Sequence, residues 1–169
     1  MPPTLFLIGH DGKQVMFMPT NLADVKAKDD FARMSQLMAI ASGATVAVLA
    51  LEAWMKTAKP GETLDNTEPP SEAFDRQEVI MLMGESMAEG RNQQLLPIIR
   101  SGNHKFFGFG DSAVEKLDKI EGRFSQLLPT KVPNEGMRAL ALAMLKVKGM
   151  QQAKTRGGRN WAGRGFRGE

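Results

Sequence analysis

The chain has no cysteine and no tyrosine, and only two histidines and two tryptophans among its 169 residues. Without cysteine there are no disulfides, no thiolate nucleophile and no cysteine-ligated metal. With His10 and His104 alone, and no HExxH or HxH spacing, no metal site is expected. A long apolar run is missing too. The longest, Ala44 to Ala53, ends in Glu52-Ala-Trp-Met-Lys56 and is too short to span a bilayer. The N-terminal segment has no cationic start and its apolar run stops at Gly9, so it does not read as a signal peptide. These absences point to a cytoplasmic protein without a membrane partner, in a cell, or made by a virus and held in host cytoplasm or virion.

What is present is ordinary up to residue 150 and unusual after it. Hydrophobic residues make up 42% and charged residues 24%, which fits one globular domain over residues 1–150. Twelve methionines fit a core filled by adaptable side chains. Lys154 to Glu169 reads KTRGGRNWAGRGFRGE. Five cations (Lys154, Arg156, Arg159, Arg164, Arg167) less Glu169 give +4, whereas the whole chain carries +3, leaving −1 for everything before it. Trp161 and Phe166 stand between the cations, and five glycines separate them. Guanidinium groups suit phosphates, ring faces suit bases, and glycine lets a flexible backbone follow a strand. Residues 151–169 therefore read as a flexible RGG-like tail for an anionic partner. Nucleic acid is favoured, single-stranded or RNA, or a nucleoprotein assembly.

The pattern of apolar residues predicts an α+β fold, a mostly antiparallel sheet with helices packed on it. Thr4 to Met18 is expected to form a hairpin on a two-residue turn at Asp11-Gly12, pairing Phe6 with Phe17 and Ile8 with Val15 on one face. Leu5 with Met18 and Leu7 with Met16 take the other face, so both faces should be covered. Lys28 to Ala41 reads as a helix with the stripe Phe31, Met34, Leu37, Met38 and Ala41, favoured at its start by Asp29 and Asp30 and ended by Gly43. Thr45 to Met55 reads as an interior strand and Lys59 to Arg76 as a long acidic loop. Gln77 to Gly84 is the next strand, and Gln93 to Phe109 a second hairpin, with Pro97 marking an edge. Ser112 with Glu115 fits a capping box for a helix whose stripe is Ala113, Leu117, Ile120, Phe124 and Leu127. A last helix, Pro133 to Lys148, should turn Met137, Leu140, Ala141 and Met144 inward.

Chemistry-bearing motifs are sparse. No serine lies in GxSxG, and Gly108-Phe109-Gly110-Asp111 lacks the third glycine and the lysine of a phosphate loop. No cofactor is expected. Glu52, Glu85 and His104 are the candidates for acid–base work if the chain were a small enzyme.

Glu52-Ala53-Trp54-Met55, then Pro70-Ser71-Glu72, then Asp75-Arg76-Gln77-Glu78-Val79 form one pattern. It resembles small uncharacterised phage and prophage proteins, in which an EAWM strand end precedes a PSE and D-R-x-E segment. The resemblance spans residues 44–85. It implies a viral origin and carries over no catalytic residue, and it groups Glu52, Trp54, Asp75 and Arg76 as a structural cluster, with Arg76 expected to pair with Glu52. The sequence as a whole reads as a non-enzymatic phage-type protein whose tail engages nucleic acid. The alternative is a virion or assembly component, a possible homo-oligomer, whose tail docks between subunits.

Overall fold

The N-terminal hairpin turns through three residues rather than two. In the computed structural model, which describes residues 2–19, 22, 24–56, 68–116, 124, 126–155 and 158–163, β1 (Thr4–Gly9) and β2 (Gln14–Phe17) are antiparallel. Leu5 lies opposite Phe17, Phe6 opposite Met16, and Leu7 opposite Val15. The Gly9 N–H donates to the Lys13 carbonyl at 2.9 Å, the Gly12 N–H donates to the Gly9 carbonyl at 2.9 Å, and Gly12 takes φ 73°. A type I turn closed by a left-handed glycine is the three-residue alternative to the type I′ turn, and Asp-Gly satisfies either. The third loop residue shifts the expected register by one and moves each side chain to a different partner. Leu5, Leu7, Val15 and Phe17 share the buried face. Phe6 and Ile8 are exposed on the other, so the expected burial of both faces is overturned.

α1 (Val25–Ser42) starts earlier than expected. The Asp24 carboxylate accepts the Ala27 N–H at 2.7 Å and caps the helix, so Asp29 and Asp30 fall beyond the first turn. Gly43 ends it in the left-handed region at φ 63°. Phe31, Met38 and Ala41 are buried, with Met34 and Leu37 at the margin of the core. Ser35 is buried as well, and its hydroxyl donates to the Phe31 carbonyl at 2.8 Å.

β3 (Ala44–Met55) is the interior strand that its two apolar faces predict. It pairs antiparallel with β1 and with β4 (Gln77–Ser86), and Leu49 sits between Leu5 and Met83. β5 (Gly90–Arg100) follows β4 after a turn at Met87 to Glu89. Two short strands share the outer edge of β5. β6 (Phe106–Phe109) pairs with Ile98–Arg100, and β7 (Ala113–Lys116) pairs with Asn92–Leu95. Pro97 stands at the gap between them, where its carbonyl accepts the Gly110 N–H at 2.8 Å. Its missing N–H thus falls where neither short strand needs a donor.

β7 overturns the helix expected after Ser112. Asn92 to Leu95 would otherwise present an open row of N–H and carbonyl groups, and pairing with 113–116 satisfies them. That tertiary demand outweighs the local capping signal. Leu117 and Ile120 of the expected stripe lie outside the described residues. Phe124 packs edge-on against Phe31 at 5.7 Å, and Leu127 and Leu128 are buried.

α2 (Glu135–Val147) is capped by Asn134, whose side chain accepts the Met137 N–H at 2.9 Å. It joins α1 in the core through Ala141 and Leu145. Met137, Leu140 and Met144, expected to face inward, are exposed instead. Both sides of this helix are apolar, and burying the side that carries Ala141 brings it close to α1. Arg138 Nε reaches the Ala41 carbonyl at 3.5 Å, setting a cation at the C-terminus of α1.

The sheet order is β2-β1-β3-β4-β5-β6, all antiparallel, and the helices contribute to a core on one of its faces. The architecture is α+β. After Gly149, β8 (Met150–Thr155) and β9 (Gly158–Gly163) form a separate two-stranded antiparallel sheet. Among the described residues, no helix is long and apolar enough to cross a membrane.

The loop assignment predicts a specific cost. No atom lies within 4 Å of a Cβ built on Gly12, so only backbone strain opposes a side chain there. Gly12→Ala should lower unfolding free energy by about 1–2 kcal/mol, and Gly12→Asn by less, because Asn tolerates the left-handed region. Urea titration of the three proteins checks this, and equal stability of the Ala and Gly forms would refute the assignment.

Candidate functional site

The expected cluster around Glu52 divides in two. Trp54 and Glu52 share one face of β3 by alternation, the face opposite Leu49. The Arg76 guanidinium lies over the Trp54 ring, 4.7 Å from its centroid. A cation–π contact of this exposed kind contributes about 0.5–1 kcal/mol. Arg76 also donates to the Ser71 carbonyl, which ties the turn at Pro69 to Ala73 to the start of β4. Asp75 is exposed. The expected Glu52–Arg76 pair is not made. Glu52 Oε1 instead faces Arg100 Nη2 at 3.6 Å, and the same guanidinium donates through Nε and Nη2 to both oxygens of Glu78. The register explains the choice. Glu52 opposes Ile80, two residues from Glu78 on the same face, whereas Arg76 precedes the strand.

Glu78 was missed in the sequence because it reads as an ordinary surface position at a strand start. The Arg100 guanidinium holds its carboxyl down to about 2 from an ordinary 4.5, against the opposing effect of burial, and hydrogen bonding with Glu52 adds to the lowering. Glu78, Glu52 and Arg100 form an ion cluster that joins β3, β4 and β5.

Glu85 is fully engaged on the opposite face. Its Oε1 accepts from Arg91 Nη2 at 3.1 Å, and its Oε2 accepts the Leu127 and Leu128 N–H groups at 2.7 and 3.1 Å. This carboxylate anchors the segment that feeds two buried leucines into the core.

The candidates for acid–base chemistry are thereby separated. Glu85 opposes Ala47 and Glu52 opposes Ile80, so the two carboxylates are five positions apart along β3, about 17 Å, and on opposite faces. His104 is exposed at the tip of the β5–β6 turn, with φ 60°. Among the described residues no three His, Asp or Glu side chains could hold a metal ion, and no buried side-chain polar atom lacks a hydrogen-bond partner.

Two features present aromatic or cationic surface. At the corner formed by β5 and β6, Phe106, Phe107 and Phe109 are exposed, Phe107 by 77%, and Phe106 meets Phe109 edge-on at 5.1 Å. In the sequence these rings fall in the second hairpin's expected strand, with nothing to mark them as exposed. The second feature is the β8–β9 hairpin. In its backbone register Lys154 lies opposite Arg159 and Gln152 opposite Trp161. Arg156, Arg164, Phe166 and Arg167 lie outside the described residues. The sequence reading ended regular structure at Gly149, because Gly-rich composition hides a pairing pattern.

No protein family, curated protein or solved structure matches this chain.

Two outcomes follow from the carboxylates. Glu85→Ala leaves two N–H groups near the core without their acceptor and should cost about 1.5–3 kcal/mol in chemical unfolding. No loss would show that the 126–128 segment is held by apolar contacts alone. Glu78 has a depressed pKa, so its pair with Arg100 stabilises the fold above pH 4.5 and is lost as pH falls toward about 2. Melting temperature should drop across that window in the wild type and drop less in Glu78→Gln. Parallel pH profiles would remove the pair from the stability of the fold.

Proposed function

We propose that this protein binds nucleic acid through its C-terminal segment, in a sequence-tolerant way that favours single strands. The observation that carries the reading is the β8–β9 register. It sets Lys154 at the register position opposite Arg159, with Trp161 two residues further along β9. Like charges across a strand pair repel, and a phosphate between them turns that repulsion into attraction. A tryptophan two positions from Arg159 offers a stacking surface for an unpaired base. The segment's +4 charge against a body of −1 concentrates the attraction at one end of the chain.

The exposed rings of Phe106, Phe107 and Phe109, with Lys105 beside them, support a second place for bases to stack on the body. The pattern around Glu52 to Glu78 supports a phage-type origin in the reading favoured here, and the protein is taken as a non-enzymatic binder. The Glu52, Glu78 and Arg100 cluster and the Glu85 anchor then serve the fold.

Cations and rings act by different physics, and a binding assay separates them. Five cations on a single strand give a slope of log affinity against log salt of about −3.5. Changing Arg156, Arg159, Arg164 and Arg167 to Gln in the full chain should flatten that slope to about −0.7 and weaken binding to every sequence alike. Changing Trp161 and Phe166 to Ala should leave the slope nearly intact. It should cost about 1–3 kcal/mol per engaged ring, with single strands affected more than duplex. Fluorescence anisotropy with labelled single- and double-stranded DNA and RNA reads both effects. Unchanged affinity in the four-arginine variant would overturn the proposal. Loss of an oligomer in that variant would favour a tail that docks between subunits.

A further inference from the structure

An open strand edge invites a further strand, and folded proteins cover, bend or charge such edges. The β5 edge of this sheet is covered by β6 and β7. β2 forms the other edge. Its residues Gln14 to Phe17 include no proline and no charged side chain, and its register against β1 has no bulge. The Gly9 N–H donates to the Lys13 carbonyl, and bonded pairs alternate along an antiparallel ladder, so Val15 and Phe17 bond to β1. Gln14 and Met16 therefore turn their N–H and carbonyl groups away from β1, to the open edge. Among the described residues, the element that lies along this edge is β9. Its Cα atoms come within 8 Å of those of β2, closer than the roughly 10 Å that separates stacked sheets. It makes no comparable approach to β1, as it would if it lay across the face of the sheet. β9 is thus a lateral neighbour of β2.

The route to that place is short. α2 packs against α1, Lys148 and Gly149 follow it, and Gly149 at φ 77° turns the chain into β8. β8 takes one edge of β9, and the other edge of β9 is left for β2. β8 and β9 form a sheet of their own, at strand distance from β2. We infer that β9 goes on to hydrogen-bond with Gln14 and Met16 as the next strand of the main sheet, so that the outer edge of β2 is the docking site of the C-terminal hairpin. The occupant is the chain's own segment, already beside its site. Both partners bring unpaired backbone donors and acceptors, and each satisfies the other.

The docking stands on backbone geometry alone. Its consequence for nucleic acid rests on the function proposed above. A free tail loses conformational freedom when it binds a ligand, whereas a hairpin seated on the sheet has lost it beforehand, which raises affinity without a new contact. Gln14 and Met16 then act as positioning residues for a ligand that they do not touch. Seating β9 also closes the edge on which a second copy would otherwise pair.

Amide hydrogen exchange in the full chain, read residue by residue by NMR, tests the docking without any ligand. Gln14 and Met16 should be protected, as Val15 and Phe17 are through β1. Fast exchange at Gln14 and Met16 beside slow exchange at Val15 and Phe17 overturns the inference. Protection that disappears on dilution overturns it too, by assigning the edge to a second copy. Met16→Pro removes one outward donor and none of the β1–β2 bonds, so the variant should keep its fold. Gln14→Pro is the second probe if it does not. Either change should release β9. A two-stranded hairpin alone is marginal in water, so the amides of β8 and β9 should then exchange faster. Unchanged exchange there in both variants overturns the docking. In the anisotropy assay Met16→Pro should weaken single-strand binding by about threefold or more, because the hairpin is no longer held in place. The salt slope should stay as in the wild type, since no cation is removed. Equal affinity in a variant with a released hairpin would end the positioning role of β2. A wild type with protected Gln14 and Met16 but no affinity for any strand would refute the proposed function and leave the docking standing, so the two failures are separately visible.

Discussion

Leu49 is fully buried in β3 with Leu5 on one side and Met83 on the other, and the rest of the sheet is arranged around that row. A strand with neighbours on both edges and a helical layer on one face has almost no freedom of register. A shift by one residue would send Leu49 and Ala47 to the face that bears Glu52 and Trp54. The β1–β2 loop answers to the same constraint. Its three-residue form is the one that turns Val15 and Phe17 toward the row that Leu5 and Leu7 already share with Leu49 and Ala47. A type I′ turn would satisfy Asp11 and Gly12 locally and expose Val15. Two or more core side chains outweigh the preference of one turn.

Charged side chains on this sheet hold strands together. Glu85 secures the 126–128 segment on the helix-bearing face, and Glu78 with Arg100 and Glu52 ties three strands on the other. Each of these carboxylates has hydrogen-bond or ion-pair partners, and the Arg100 guanidinium holds the Glu78 carboxyl well below the usual carboxylate range. The mutual placement of these groups is therefore explained by the fold. A site for acid–base catalysis needs a carboxylate whose charged form is disfavoured, and Glu78 is shifted the other way.

What could be read from the sequence was what one segment decides by itself. β3 was legible because Val46, Val48, Ala47 and Leu49 alternate without a polar break, and the end of α1 because Gly43 is the residue that a left-handed cap requires. Features that depend on a distant neighbour were not legible. Asp11-Gly12 fits two loops, and only the row across β1 and β3 chooses between them. Ser112 and Glu115 spell a helix start, but the open edge of β5 takes those residues as a strand. Glu52 needs a cation, yet two registers of pairing separate Arg76 from Arg100 as the supplier. The paired register of 150–163 is hidden for another reason: glycine and arginine carry little alternation, so a hairpin there leaves almost no apolar signature.

α2 shows the same ambiguity with a different outcome. Its sequence contains two apolar stripes, one through Ala141 and Leu145 and one through Met137, Leu140, Met144 and Val147, and a single core can take only one. The stripe with the larger residues was the natural expectation for the inside, since it would bury more area. The structure buries the smaller one, which lets α2 approach α1 and brings Arg138 to the end of that helix. The larger stripe is then left at the surface, with small residues beside it. Leaving that much apolar surface in water is unfavourable for a monomer.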